Sequence, residues 1–180
     1  MLDKIKITVI TVVYNDERLI AKTIESVLKQ TYKNTEYIVI DGASSDGTIN
    51  EINKFTIDRI ISEKDEGIFD AMNKGIKIAT GDYLIFMNAG DSFFSDNVLT
   101  EIEDILDKTN LPDFIYGDAN EIDGVNSYIK KARSPSTIYY GMFTHHQSML
   151  YKRKILNNDL LTYDLKYPKA GDYAFTASFL

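Results

Sequence analysis

The sequence contains no cysteine, which excludes disulfides, thiolate zinc sites and a cysteine nucleophile. Histidine is scarce: only His145 and His146 occur. Any metal must therefore be held by oxygen ligands or by these two imidazoles. No apolar run approaches the roughly 20 residues of a membrane span; the longest, Ile7 to Tyr14, is broken by threonines and reads as a buried strand. The N-terminus lacks a charged-then-apolar leader with a small-residue cleavage site. The protein is therefore expected in the cytoplasm, free or at the inner face of the membrane. Repeats, low-complexity tracts and linkers are absent too, so residues 1–180 are expected to form one domain.

What is present fits a globular chain: 44% hydrophobic residues is enough for a core, and 26% charged is too little for disorder. The net charge of −7 is unevenly spread. Residues 1–126 carry 12 Lys/Arg against 24 Asp/Glu, whereas residues 127–180 carry 8 against 3. The acidic first part argues against general nucleic-acid binding. The basic remainder gathers around Lys130, Lys131, Arg133 and the run Lys152-Arg153-Lys154. It is either a solvated face or a patch toward an anionic acceptor or membrane surface.

Strand and helix patterns alternate over the first two-thirds. Ile5–Val13 is β-branched and continuous, as in a strand buried on both faces. Asn15-Asp16 can cap a helix whose apolar stripe is Leu19, Ile20, Ile24, Val27 and Leu28. Tyr37–Ile40 is a second strand, Ile49–Phe55 a short helix and Arg59–Ser62 a third strand. Ile68, Phe69, Met72, Ile76 and Ala79 mark another helix, with Gly81 as its C-terminal cap. A fourth strand, Tyr83–Met87, precedes a helix capped by Ser95 and carrying Val98 to Leu106. After residue 112 the pattern changes: Phe114–Ile122 and Val125–Lys130 flank an Asp123-Gly124 hairpin turn, and Ser148–Tyr151 is a last strand. The expectation is an α/β fold: a mostly parallel, Rossmann-like sheet flanked by helices, with an antiparallel addition late in the chain.

Ligands in such sheets bind beyond the carboxyl ends of the strands. Three strands here end in Tyr14-Asn15, in Asp41 and in Asn88 to Asp91, which brings an aromatic ring and two carboxylates to one edge. The Gly-x-Gly-x-x-Gly of a dinucleotide-dependent dehydrogenase is missing after the first strand. So is the Gly-rich, basic loop that a sugar-1-phosphate nucleotidyltransferase needs for triphosphate.

The segments Thr8 to Asn15, Tyr37 to Thr48, Asp70 to Gly75 and Ala79 to Tyr83 together resemble family 2 glycosyltransferases of the GT-A fold, over about residues 5 to 175. The likeness is greatest to bacterial enzymes of O-antigen, capsule or exopolysaccharide synthesis. It implies inverting transfer from a nucleotide-diphosphate sugar, by family habit a UDP-sugar, to a saccharide or lipid-linked acceptor. It also implies a donor-binding half over 1–112 and an acceptor-side half over 113–180. The alternative is a non-catalytic nucleotide-sugar-binding relative.

Residue by residue, the resemblance implies that Tyr14 stacks on the base and Asp41 accepts its ring N–H; core packing and turn formation are the competing roles. Thr11, Asp65, Asn73 and Asn88 are expected around the nucleotide. A divalent cation, magnesium or manganese, neutralises the leaving diphosphate. The family's Asp-x-Asp is reduced here to Asn88-Ala89-Gly90-Asp91, which leaves Asp91 as the metal ligand. In Gly171-Asp172-Tyr173, Asp172 matches the family's general base, or else caps a helix. His146 and Gln147 fall where the family approaches acceptor or diphosphate; a satisfied structural histidine and a metal ligand remain alternatives for His146.

Overall fold

The structure, a computed structural model, describes residues 4–156 and 162–180. A six-stranded sheet has the order β3-β2-β1-β4-β8-β5, with β1 Ile7–Val13, β2 Thr35–Asp41, β3 Arg59–Ser62, β4 Tyr83–Phe86, β5 Phe114–Tyr116 and β8 Met149–Lys152. Strands β1 to β4 are parallel, and β8 enters antiparallel between β4 and β5. Helices α1 (Ile20–Leu28), α2 (Thr48–Ile52), α3 (Ile68–Ile78) and α4 (Val98–Lys108) fill the crossovers, and α5 (Arg153–Leu156) and α6 (Gly171–Phe179) close the chain. β5 and β8, from the later part, thus complete the sheet that the earlier part begins.

β1 is buried at every position, which is why its sequence does not alternate. Ile10 and Val12 point to one face, with Ile38, Ile40, Phe86, Met72 and Ile76, and are covered by α3 and α6. Ile7, Val9 and Val13 point to the other, with Val39, Ile85, Ile24 and Leu99, and are covered by α1, α2 and α4. Each fully buried aliphatic side chain contributes about 1.5–3 kcal/mol. No helix among the described residues is long and apolar enough to cross a membrane.

Several sequence expectations give way to long-range contacts. α1 starts at Ile20 without a side-chain cap, and Asn15 instead bonds the loop around Ser45. α2 ends at Ile52, three residues before Phe55. α3 ends with Ala79 in extended conformation, so Gly81 is no helix cap. Gly81 is needed because a Cβ there would lie 2.5 Å from Thr8 Oγ1 and 2.8 Å from the Lys6 carbonyl. Ser95 does not cap α4; Gln30 does, its Oε1 accepting from the Leu99 N–H at 3.0 Å. The strand expected over 114–122 breaks in two. β5 stops where its partner β8 stops, Gly117 donating a last bond to Ser148. The chain then enters a separate two-stranded hairpin, β6 (Ala119–Asp123) and β7 (Asn126–Lys130). Its two-residue loop is Gly124-Val125, with Gly124 at φ +61°.

A buried polar knot holds the start of the parallel sheet. Glu36 accepts from Thr8 Oγ1 (2.7 Å), Thr80 N (2.7 Å) and Thr80 Oγ1 (2.9 Å). Burial alone would raise its pKa, but these donors and Lys6 hold it below the ordinary 4.5. A depressed folded pKa gives stability that is fully present above pH 4.5 and is lost as pH falls through the folded value. Chemical denaturation between pH 7 and pH 3 should show that loss, and Glu36→Gln should make it shallower.

Candidate functional site

The carboxyl ends of β1, β2 and β3 carry two loops laced together. Asn15, at φ 49°, takes the Ser45 N–H on Oδ1 at 2.8 Å and donates its own N–H to Ser44 Oγ at 2.8 Å. Glu17 takes the Gly47 N–H at 2.9 Å. Beside this lacing, Tyr14 stands 65% exposed. A Cβ built on Gly42 would lie 3.3 Å from Tyr14 Cδ2 and 2.6 Å from Asp65 Oδ2. Bare backbone at Gly42 therefore floors a slot between an aromatic face and a carboxylate. Asp65 Oδ1 is held by the Gly67 N–H at 3.0 Å, which turns Oδ2 toward Gly42. Such a slot suits a flat heterocycle with a ring N–H. Gly42 was missed as a site residue; its only sequence signal is its place in the Asp41-Gly42 turn.

Three expected nucleotide contacts are not brought to this slot. Thr11 is fully buried and shares a 3.0 Å hydrogen bond with the Tyr37 hydroxyl, inside the core. Asp41 is fully buried as well, with Ser44 on one oxygen and Ser62 Oγ on the other at 2.6 Å. In this conformation it shapes the loop and has no exposed edge for a base. Asn73 clamps a distant segment: its amide donates to the Tyr163 carbonyl and accepts from the Tyr163 N–H, both at 2.9 Å.

The end of β4 builds the second part. Thr23 of α1 pins the following loop, accepting from the Gly90 N–H at 3.0 Å and donating to the Asp91 carbonyl at 2.7 Å. Asp91 Oδ2 accepts from Gln147 Nε2 at 2.8 Å. Gln147 lies in a short 3-10 turn, His146–Ser148, just ahead of β8. Because β8 runs antiparallel to β4, that turn arrives at the same edge as Asp91. Asp172 sits in the first turn of α6, half-buried, with Oδ1 accepting its neighbour's Tyr173 N–H at 2.8 Å. Ala170, not Asp172, is the N-cap. Gly171 lies flat on Phe69, whose ring would be 2.6 Å from a Cβ at 171.

His146 joins these carboxylates electrostatically. Burial lowers its pKa below 6.5, while Asp172 and Asp91 act to raise it. Asn88 Oδ1, His146 Nε2 and the Tyr163 hydroxyl are sealed from solvent without a hydrogen-bond partner among the described residues. Among the described residues, no group of three or more His, Asp or Glu side chains could hold a metal alone. A cation here would rest on Asp91, beside the unpartnered Asn88 Oδ1, and complete its shell with ligand oxygens and water. The donor set fits such an ion only when a diphosphate is present.

The basic residues divide between the two ends of the sheet. Lys130 pairs with Glu121 and Lys131 with Asp118 on the hairpin side. Lys152 pairs across from Tyr83 at the start of β4, so the Lys152–Lys154 run lies at the opposite edge from Asp91 and Asp172. One continuous basic patch is not formed.

Comparison with known proteins bears on the fold and the family. The Escherichia coli protein WfgD, named UDP-Glc:alpha-D-GlcNAc-diphosphoundecaprenol beta-1,3-glucosyltransferase, is 31% identical over 183 residues, covering 99% of this chain and 71% of that one. Staphylococcus aureus TarS 1–349 in complex with UDP superposes with a TM-score of 0.80 at 20% identity, over 95% of this chain and 54% of TarS. A Pyrobaculum calidifontis mannosyltransferase in complex with GDP-Man and Mn2+ superposes with a TM-score of 0.70 at 19% identity, over 99% of this chain and 52% of that one. These two share the GT-A fold seen here. The chain spans 60% of the length of a Mycobacterium bovis PGL/p-HBAD biosynthesis glycosyltransferase, to which it is 28% identical over 84% of its own length. The model described as Glycosyl transferase family 2 matches residues 8–167, and the chain belongs to that family.

Proposed function

We propose that this chain is the catalytic domain of an inverting glycosyltransferase that moves a sugar from a UDP-sugar to a saccharide or lipid-linked acceptor in bacterial surface polysaccharide synthesis. One observation carries the reading: the Tyr14–Gly42–Asp65 slot, the Asp91–Gln147 pair and Asp172 occupy one edge of one sheet. The names of the E. coli relative and of the UDP-bound TarS structure support the donor and the lipid-linked acceptor.

In this reading the base lies on Tyr14 with its ring N–H toward Asp65. Gln147 orients Asp91. Asp91, with the diphosphate oxygens, would hold a magnesium or manganese ion, which would supply charge neutralisation for the leaving group. Asp172 takes the proton of the acceptor hydroxyl as that oxygen attacks the anomeric carbon, on the face opposite the departing UDP. With glycine at 171, Asp172 is the one carboxylate of its motif, and a direct displacement needs one such base.

Calorimetric titration with UDP and GDP, with and without manganese, tests the reading. UDP should bind, and more tightly with metal; no nucleoside diphosphate binding under any condition would sink it. Tyr14→Ala should weaken UDP by about 5- to 150-fold, since base–aromatic stacking is worth about 1–3 kcal/mol. Gly42→Val would press on both the Tyr14 ring and the Asp65 carboxylate and should weaken UDP at least as much, read in the same titration.

A further inference from the structure

The space beneath Asp172 is built from aromatic rings and two unpartnered polar atoms. Phe86, the last residue of β4, has its ring centroid 6.3 Å from that of His146 and 5.8 Å from that of Tyr163. Tyr163 stacks on Phe175 at 4.3 Å, and Phe175 lies on α6 three residues after Asp172. Phe69, against which Gly171 packs, stacks on the other side of Tyr163 at 5.2 Å. His146 is thus walled into the same aromatic box that supports the first turn of α6. It is 91% buried, its Nε2 has no partner among the described residues, and a sealed imidazole nitrogen is costly to leave so. An apolar side chain would fill this place without that penalty, so packing alone does not account for a histidine. The neighbouring Gln147 already has its own task on Asp91.

We propose that His146 is a positioning residue for Asp172: as donor and acceptor close the site, Nε2–H donates to Oδ2 of Asp172 and fixes the carboxylate's direction. The Tyr173 N–H on Oδ1 then holds the group from one side and the imidazole from the other. Each oxygen keeps a lone pair for the acceptor proton. Such bonds are often unformed before substrate binds and tighten in the reacting complex. Burial pushes the imidazole below its ordinary 6.5, toward the neutral form that a donor to a proton-accepting carboxylate requires, while Asp172 pulls the other way. The proposal rests on the transferase reading above. It adds that one three-residue turn, His146–Ser148, serves both carboxylates: Gln147 holds Asp91 and His146 holds Asp172.

The test uses UDP-glucose as donor, a GlcNAc-diphospholipid as acceptor, and UDP titration with manganese on the same samples. His146→Phe keeps an aromatic ring without an N–H; kcat should fall about 10- to 100-fold, the usual cost of a misaimed catalytic group, with UDP affinity within about twofold. His146→Gln, whose amide reaches near the Nε2 position, should recover about tenfold of that loss, which a space-filling role would not give. In an Asp172→Asn background, adding His146→Phe should cost nothing further, because both changes remove one function. Unchanged kcat in His146→Phe, loss of UDP binding in step with turnover, or additive losses in the double variant would each overturn the proposal. If His146→Phe does not fold, His146→Met takes its place; if neither apolar variant folds, the residue is structural and the proposal falls. Absence of UDP binding or of transfer in the unsubstituted protein overturns the transferase reading instead and is seen first.

Discussion

Asp172→Asn is expected to lower sugar transfer by about 10²- to 10⁴-fold while UDP affinity stays within about twofold. The range is that of a general base. The argument for a clean separation is geometric. Asp172 lies on α6 and, among the described residues, its carboxylate bonds only the Tyr173 N–H; Asn keeps an acceptor for that bond and nearly the same volume. Tyr14, Gly42 and Asp65 are held by loops after β1, β2 and β3, with no hydrogen bond to α6. Removing the base should leave the donor seat intact. Single-turnover transfer and UDP titration on one preparation read both quantities. Wild-type turnover in this variant would remove Asp172 as the base.

Asp91→Ala should abolish the strengthening of UDP binding by manganese and lower transfer by about 10³-fold. Ion-assisted departure of a diphosphate supplies several kcal/mol of charge stabilisation. In many sites further protein ligands would soften the loss of one, but no group of three or more His, Asp or Glu side chains that could hold a metal is found among the described residues. Asn88, two residues before Gly90, offers only an amide oxygen. The substitution also leaves the Gln147 amide without its 2.8 Å acceptor. Gln147→Ala should therefore reproduce a small part of the effect, through a less fixed Asp91. A UDP titration that still responds to manganese in Asp91→Ala would move the ion elsewhere.

Much of the fold was legible because it is written in local pattern. The β-branched run of β1 and the apolar stripe of α3 need no partner to be read. The third strand matches Arg59–Ser62 residue for residue. The positions of Tyr14, Asp65, Asp91, Gln147 and Asp172 follow from strand ends and helix starts, which the local pattern also gives. The errors share one cause: short polar side chains whose partners are far away in sequence. Thr11 reaches Tyr37, Asp41 reaches Ser62, and Asn73 reaches across 90 residues to Tyr163. No window along the chain contains those pairs. Capping failed for the same reason, since α4 is capped by Gln30 rather than by the serine beside it. The broken strand at Gly117 is set by the length of β8, information that lies 30 residues downstream.

The contact of Gly171 with the Phe69 ring has a further meaning for how such a site can change over time. An acid at this position would turn a one-carboxylate site into a two-carboxylate site. Here that step is barred by a partner on another helix. Gly171→Glu alone would drive its Cβ into a ring that also supports Tyr163, whereas Phe69→Ala first would open the room at the cost of a core aromatic. Positions 69 and 171 are therefore epistatic. Gly171→Glu is expected to be tolerated better behind Phe69→Ala than alone, as the denaturation midpoints of the single and double variants would show.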